Sequence, residues 1–155
     1  MTGVRVAVGG TFSVIHRGHL RLLETAFSFG DEVLIGISSD KMASGKGYDV
    51  PKLEKRISGL EDALRTLCDG KSFEIRVIGD EVGPAGTERL DAIIVSEESE
   101  KGAAAVNRAR EGNGLHPLIV IIIPMVRGKG GKVIASRYII DGRMDKEGKT
   151  LSKSA

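Results

Sequence analysis

Short apolar runs alternate with segments of helical period along this chain, and this alternation limits the folds that it can adopt. The apolar runs are rich in Val and Ile and cover residues 4–8, 33–37, 73–78, 92–95 and 118–123. Continuous apolar runs are typical of strands buried on both faces of a parallel sheet, and the only charged residues within the five runs here are Arg5, Glu74 and Arg76. The spacing therefore predicts five parallel strands.

Apolar residues at helical spacing fill the intervals between these strands. They lie at residues 20–27, 53–67 and 101–111, and a short further segment follows at 136–140. Gly30 stands where a left-handed C-cap would end the first helix, and Asp49 with Pro51 suggests the start of the second. Strands alternating with helices predict an α/β fold with a doubly wound sheet, whose ligands bind beyond the carboxyl ends of the strands.

Length and composition limit the classes of protein. The 155 residues are 41% hydrophobic, which suits one domain, expected at 1–148 with a flexible tail at 149–155. The 23 basic and 21 acidic residues give no broad basic surface for nucleic acid. Cys68 is the single cysteine, and no apolar stretch reaches the length of a membrane span. We expect a cytoplasmic monomer or small homo-oligomer that binds neither nucleic acid nor membrane.

The segment after the first strand carries the residues best suited to phosphate. Gly9 and Gly10 let the backbone approach a bound group closely, and a helix begins a few residues later with its free amides facing the same place. His16 and His19 lie on one side of that first turn, and we expect Gly18 to leave room between them for a ligand. Imidazoles at a helix N-terminus tend to be neutral, which suits hydrogen-bond donation better than general base catalysis. The alternatives are a simple turn at the two glycines and a weak, incidental metal site at the two histidines. Neither alternative would require the glycines and both histidines to occur together.

The string from Gly9 to His19, GGTFSVIHRGH, resembles the signature of the HxGH nucleotidyltransferase superfamily, whose fold is Rossmann-like. Further blocks are similar to the archaeal type of pantetheine-phosphate adenylyltransferase. They are SSD at 38–40, GPA at 83–85, VSEE at 95–98 with GA at 102–103 and Asn107, GLHPL at 114–118 and DKEG at 145–148. The resemblance covers nearly the whole chain.

This resemblance implies a reaction and a set of site residues. ATP and 4'-phosphopantetheine would give dephospho-coenzyme A and pyrophosphate, with Mg²⁺ carried by ATP and no metal ligand from protein side chains. Thr11 would orient the acceptor phosphate, His19 would stabilise the α-phosphate transition state and His16 would contact the ATP phosphates. The expected ATP-binding set is Gly9, Gly10, Thr11, Phe12, His16, Gly18, His19, Ser96, Glu98, Ser136 and Arg137.

The acceptor side is expected to use Thr11, Ser39, Lys41 and Arg56, with Lys41 joining His19 and Thr11 in catalysis. Lys46 is the alternative to Lys41. For Arg56, a solvated face of the second helix is as plausible as a role in the site. For Glu98, capping the following helix is as plausible as contact with the nucleotide.

The chain departs from the family pattern near its end. A serine-threonine-arginine segment is usual there, and the usual arginines fall at Tyr138 and Ile140. Arg137, Arg143 or a lysine of the glycine-rich loop at 127–132 could hold the leaving pyrophosphate instead, while Ser136 could cap a helix. The rival hypotheses are transfer to nicotinamide mononucleotide, flavin mononucleotide or glycerol phosphate, or an inactive nucleotide-binding module.

Overall fold

The computed structural model describes residues 3–151 and contains one five-stranded sheet. The strands are β1 (Arg5–Gly10), β2 (Glu32–Ser38), β3 (Ser72–Ile78), β4 (Ala92–Ser96) and β5 (Ile119–Ile123). Their order is β3-β2-β1-β4-β5, and every neighbouring pair is parallel. The predicted doubly wound five-stranded parallel sheet is confirmed.

Helices cover both faces of this sheet. They are α1 (Arg17–Phe29), α2 (Asp40–Ala43), α3 (Leu53–Leu67), α4 (Glu100–Gly112) and α5 (Ser136–Ile140). Single 3-10 turns lie at Ser44–Lys46, Gly83–Gly86 and Glu97–Ser99. The sequence predicted four of the five helices, and α2 was missed because four residues are too few to show a period. Within residues 3–151, no helix combines the length and apolarity that a bilayer crossing would require.

Two hydrophobic cores lie on opposite faces of the sheet because side chains alternate along each strand. Val6 and Val8 of β1 point into the core beneath α1 and α3. Ala7, between them, points into the core beneath α4. Both faces of the central strands are therefore buried, which is why their sequences read as continuous apolar runs.

Two predicted helix boundaries need correction. Gly30 ends α1, but its backbone is extended (φ −108°, ψ 145°) rather than left-handed. A side chain there is excluded by close packing, since a Cβ would lie 2.8 Å from Cγ2 of Val6. Helix α3 begins at Leu53 rather than at Asp49 or Pro51, and its first N–H donates to Oδ1 of Asp40 (2.9 Å).

The end of the described chain is attached to the domain. Thr150 forms an antiparallel bridge with Met144, and the Leu151 N–H donates to the carbonyl of Arg143 (2.8 Å). Residues 152–155 of the predicted tail lie outside the described residues, so the boundary at residue 148 stays a prediction.

Arg110 on α4 is a buried cation with a structural role. Only 3% of the residue is exposed, and its guanidinium donates to the carbonyls of Ala85, Glu88 and His116 at 2.7–2.9 Å. These carbonyls belong to two loops that the sheet does not hold. Arg110 therefore fixes the 83–88 and 114–118 loops against α4.

Replacing this cation tests its structural role. Arg110→Met should lower the free energy of unfolding by about 3 kcal/mol, because three carbonyls lose a charged donor. Arg108→Met is the matched control on the exposed side of the same helix, with an expected change of at most about 0.5 kcal/mol. Urea denaturation measures both, and equal stabilities would contradict the role given to Arg110.

Candidate active site

A cavity of about 420 Å³ opens at the carboxyl ends of β1, β4 and β5. The strand order reverses between β1 and β4, and such switch points are where doubly wound sheets bind ligands. The lining contains all eleven residues that were expected to bind ATP: Gly9, Gly10, Thr11, Phe12, His16, Gly18, His19, Ser96, Glu98, Ser136 and Arg137. Their roles toward a ligand stay predictions.

The two histidines cap the N-terminus of α1 through two hydrogen bonds. Nδ1 of His16 accepts from the Gly18 N–H (3.0 Å), and Nδ1 of His19 accepts from the His16 N–H (3.4 Å). Gly18 is required by this arrangement, because a Cβ there would lie 2.7 Å from Cε1 of His16. Glycine thus makes room for the His16 ring, where the sequence suggested room for a ligand.

Both rings are held in the neutral form. Burial lowers the pKa of His16 to about 4. Burial, together with the neighbouring His16, lowers the pKa of His19 to about 3, while the Val14 carbonyl acts in the opposite direction. The rings stack with centroids 3.9 Å apart, so two positive charges would repel strongly. Because Nδ1 of His16 accepts a hydrogen bond, the hydrogen of the neutral His16 ring lies on Nε2, which is therefore a donor.

Thr11 lies where the chain turns out of β1. Its hydroxyl donates to Oγ of Ser38 (3.3 Å), which connects the ends of β1 and β2. The next residue, Phe12, has φ +50°, a left-handed conformation uncommon for a residue with a large side chain. The Phe12 ring is 1% exposed and lies 5.1 Å from the His19 ring, so packing holds the turn in place.

The two candidate lysines, Lys46 and Lys41, differ in their position relative to the cavity. Lys46, in the turn after α2, lines the cavity together with Tyr48, whose hydroxyl forms a 2.9 Å hydrogen bond with Ser13. Lys41 is exposed on α2 and is not in the lining. Ser39 also lies outside the lining, and its hydroxyl accepts from the Met42 N–H as the N-cap of α2. This placement favours Lys46 over Lys41.

Arg56 is neither on a solvated helix face nor open to an acceptor. Its side chain is 0% exposed, and its guanidinium bonds to carbonyls and to Asp40. A hydrophobic stripe predicts which face of a helix points inward, but it does not reveal a long polar side chain that reaches back under the neighbouring loops. The expected direct contact between Arg56 and an acceptor is not supported by this burial.

The β4 side of the cavity is built by a turn of serines and glutamates. The Ser96 and Ser99 hydroxyls lie 3.2 Å apart, and Glu98 faces the lining with them. Glu97 accepts from the Met125 N–H (3.1 Å) and so connects the end of β4 with the segment after β5. That segment also lines the cavity, and it was not among the predicted site residues. It could have been predicted, because ligands of such sheets bind beyond the carboxyl ends of the strands. Its lining residues are Ile123, Pro124, Met125 and Val126.

The departure from the usual arginine pattern is visible at α5. Ser136 does not cap this helix, because the N-cap is Ala135; its hydroxyl donates to the Val14 carbonyl instead (3.1 Å). Arg137 lines the cavity, and its Cζ lies 5.4 Å from the ring centroid of Tyr138. Nζ of Lys132 lies 4.3 Å from the same centroid. Tyr138, at a usual arginine position, thus has two cations near its ring.

The oxygen donors of the cavity suit a magnesium nucleotide. Across residues 3–151, no three His, Cys, Asp or Glu side chains are grouped so that they could hold a metal ion. The lining supplies the Ser13, Ser96 and Ser99 hydroxyls and the Glu98 carboxylate. Mg²⁺ prefers oxygen ligands and commonly binds through few protein groups together with substrate phosphates. The lining therefore supplies oxygen groups of the kind that Mg²⁺ prefers, and its binding with a nucleotide stays a prediction.

Comparison with solved structures gives the same fold. A protein with unknown function from Archaeoglobus fulgidus has a TM-score of 0.70 and 27% identity, covering 77% of this chain and 89% of that one. Pantothenate synthetase from Thermus thermophilus has a TM-score of 0.56 and 20% identity, covering 89% of this chain and 61% of that one. The second likeness concerns the fold alone.

Sequence relatives are more specific. A family described as cytidylyltransferase-like matches residues 7–142. The phosphopantetheine adenylyltransferase of Pyrococcus abyssi is 40% identical over 152 residues, which are 96% of both chains. That of Methanothermobacter thermautotrophicus is 37% identical over 149 residues, 96% of this chain and 90% of the relative. The chain is therefore a nucleotidyltransferase that belongs to the cytidylyltransferase-like family and, within it, to the phosphopantetheine adenylyltransferases of the type found in archaea.

Proposed function

We propose that this protein transfers the adenylyl group of ATP to 4'-phosphopantetheine and so forms dephospho-coenzyme A and pyrophosphate. The observation that carries the proposal is the pair of neutral, stacked imidazoles lining a cavity together with Gly9, Gly10 and Thr11. The identity of the acceptor rests on relatives of about 40% identity that carry this name over nearly their full length.

The reaction needs no nucleophile from the protein. An oxygen of the acceptor phosphate attacks the α-phosphorus of ATP, while the bond from that phosphorus to the oxygen bridging toward the β-phosphate breaks. The electron pair of the broken bond leaves with pyrophosphate. Because attacking and leaving groups are already anionic, catalysis consists of positioning and of stabilising charge on the α-phosphate oxygens.

Each group of the cavity has a proposed part in this transfer. The neutral rings of His16 and His19 donate to phosphate oxygens near the start of α1, where helix amides also favour anions. Thr11 orients the acceptor phosphate. Lys46 and Arg137, which both line the cavity, supply positive charge toward the acceptor and toward pyrophosphate respectively. Mg²⁺ carried with ATP supplies further neutralisation of phosphate charge.

The acceptor can be tested with a substrate panel. We expect pyrophosphate release with ATP, Mg²⁺ and 4'-phosphopantetheine, and little release when nicotinamide mononucleotide, flavin mononucleotide or glycerol phosphate replaces that acceptor. A coupled pyrophosphate assay measures each rate. Release with a different acceptor alone would reject the proposed substrate, and ATP binding without turnover on any acceptor would favour the inactive module.

The neutral state of the histidines predicts how activity depends on pH. His19→Ala should lower kcat by about 10²-fold to 10³-fold, and by the same factor at every pH from 6 to 8, because the ring is already neutral throughout that range. His116→Ala removes an exposed histidine outside the lining and serves as the control. A ratio of wild-type to variant kcat that changes between pH 6 and 8 would show that the His19 ring gains a proton in this range, and would contradict the neutral donor.

The two lysines make different predictions. Lys46→Ala should lower kcat/KM for the acceptor by about 10-fold to 100-fold, the usual effect of losing one charged hydrogen bond. Lys41→Ala should have a smaller effect, because Lys41 lies outside the lining. Steady-state kinetics at saturating ATP compare the variants, and a larger loss for Lys41→Ala would reverse the assignment.

A further inference from the structure

Arg56 joins three segments of the chain beside the cavity, although its own side chain is 0% exposed. Nε donates to the Pro51 carbonyl (2.8 Å). Nη1 donates to the carbonyls of Thr11 (3.0 Å) and Ser38 (2.8 Å), and Nη2 donates to Oδ1 of Asp40 (2.9 Å). Four of the five N–H groups of the guanidinium are therefore used within the protein.

The bond to Thr11 acts on the turn that presents the threonine hydroxyl. The carbonyl held by Arg56 belongs to the peptide that leads into Phe12, whose φ is +50°. Fixing this carbonyl favours the left-handed turn over the extended backbone that a strand would otherwise continue. The same nitrogen holds the Ser38 carbonyl, and Ser38 Oγ accepts from the Thr11 hydroxyl (3.3 Å).

The other two bonds act on the segment that brings Lys46 and Tyr48 to the cavity. Asp40 begins α2 before that segment, and Pro51 lies just after it. Oδ1 of Asp40 also accepts from the Leu53 N–H (2.9 Å), which fixes the start of α3. Arg56 thus holds both ends of the segment, while the 2.9 Å bond from Tyr48 to Ser13 holds its middle.

We propose that Arg56 is a positioning residue for the transfer: it sets Thr11 and the segment 44–50 at the one separation where both face the acceptor phosphate. This inference rests on the proposed function. The planar guanidinium fixes the angles between its partners, whereas a lysine at this position provides one flexible donor group. Arg56 never touches the substrate, so its effect reaches the reaction through Thr11 and Lys46.

The test compares Arg56→Lys with Arg110→Lys, since both wild-type residues are buried arginines whose guanidinium binds backbone carbonyls. Thermal unfolding gives the melting temperature of each variant, and kinetics are measured equally far below it. Arg56→Lys should lower kcat by about 10²-fold, the usual effect of misplaced reacting groups, and raise KM for 4'-phosphopantetheine while leaving KM for ATP nearly unchanged. Arg110→Lys should lose stability and keep all three constants within about twofold of wild type.

Equal kinetic constants for the two variants would reduce Arg56 to a structural residue and overturn the inference. If Arg56→Lys does not fold, Asp40→Ala carries the test, because Asp40 is half exposed and contributes one of the four bonds. It should lower kcat and raise the acceptor KM in the same direction by a smaller factor, and unchanged constants would overturn the inference. A wild type inactive with 4'-phosphopantetheine would instead reject the proposed function.

Discussion

The parallel pairing of β1 with a strand on each side is the constraint on which the site depends. With β2 the pairing runs from Arg5 to Gly10, but with β4 it stops at Val8. Gly9 and Gly10 therefore remain bonded on one side and open on the other. The opening is the crevice at which the strand order reverses, and the cavity lies there because the sheet stops pairing before β1 ends.

The sheet could be predicted from the sequence because strands that are buried on both faces consist mostly of apolar residues. Val6, Ala7 and Val8 enter opposite cores in turn, so no polar residue interrupts the run. The cluster from Gly9 to His19 was equally predictable. Glycines that let the backbone approach a ligand, free helix amides and two imidazoles all occur within this one short stretch. Each of these features depends on residues near one another in the chain.

What could not be predicted depends on contacts between distant segments. Arg56 occupies the polar side of an amphipathic helix, yet the segments at residues 11, 38–40 and 51 fold over it. Lys46 and Lys41 are five residues apart, and only the path of the loop decides which one reaches the cavity. Ser136 is a residue type that is common at N-caps, but its hydroxyl donates to the Val14 carbonyl instead. Local propensity sets the choices available, and tertiary packing selects among them.

The electrostatics of the cavity follow from this packing. A helix N-terminus was the sequence-based reason to expect neutral histidines, whereas burial is the larger cause of their lowered pKa values. In the proposed function, phosphate would meet fixed dipoles as well as the charges of Lys46 and Arg137, which both line the cavity. In the proposed reaction, charge grows on the α-phosphate only as the transition state forms. A neutral donor that packing already holds in place needs no reorganisation, and it binds a resting nucleotide less tightly than a cation would. A larger share of its interaction free energy therefore stabilises the transition state and not the bound nucleotide. This is the condition for raising kcat rather than lowering KM.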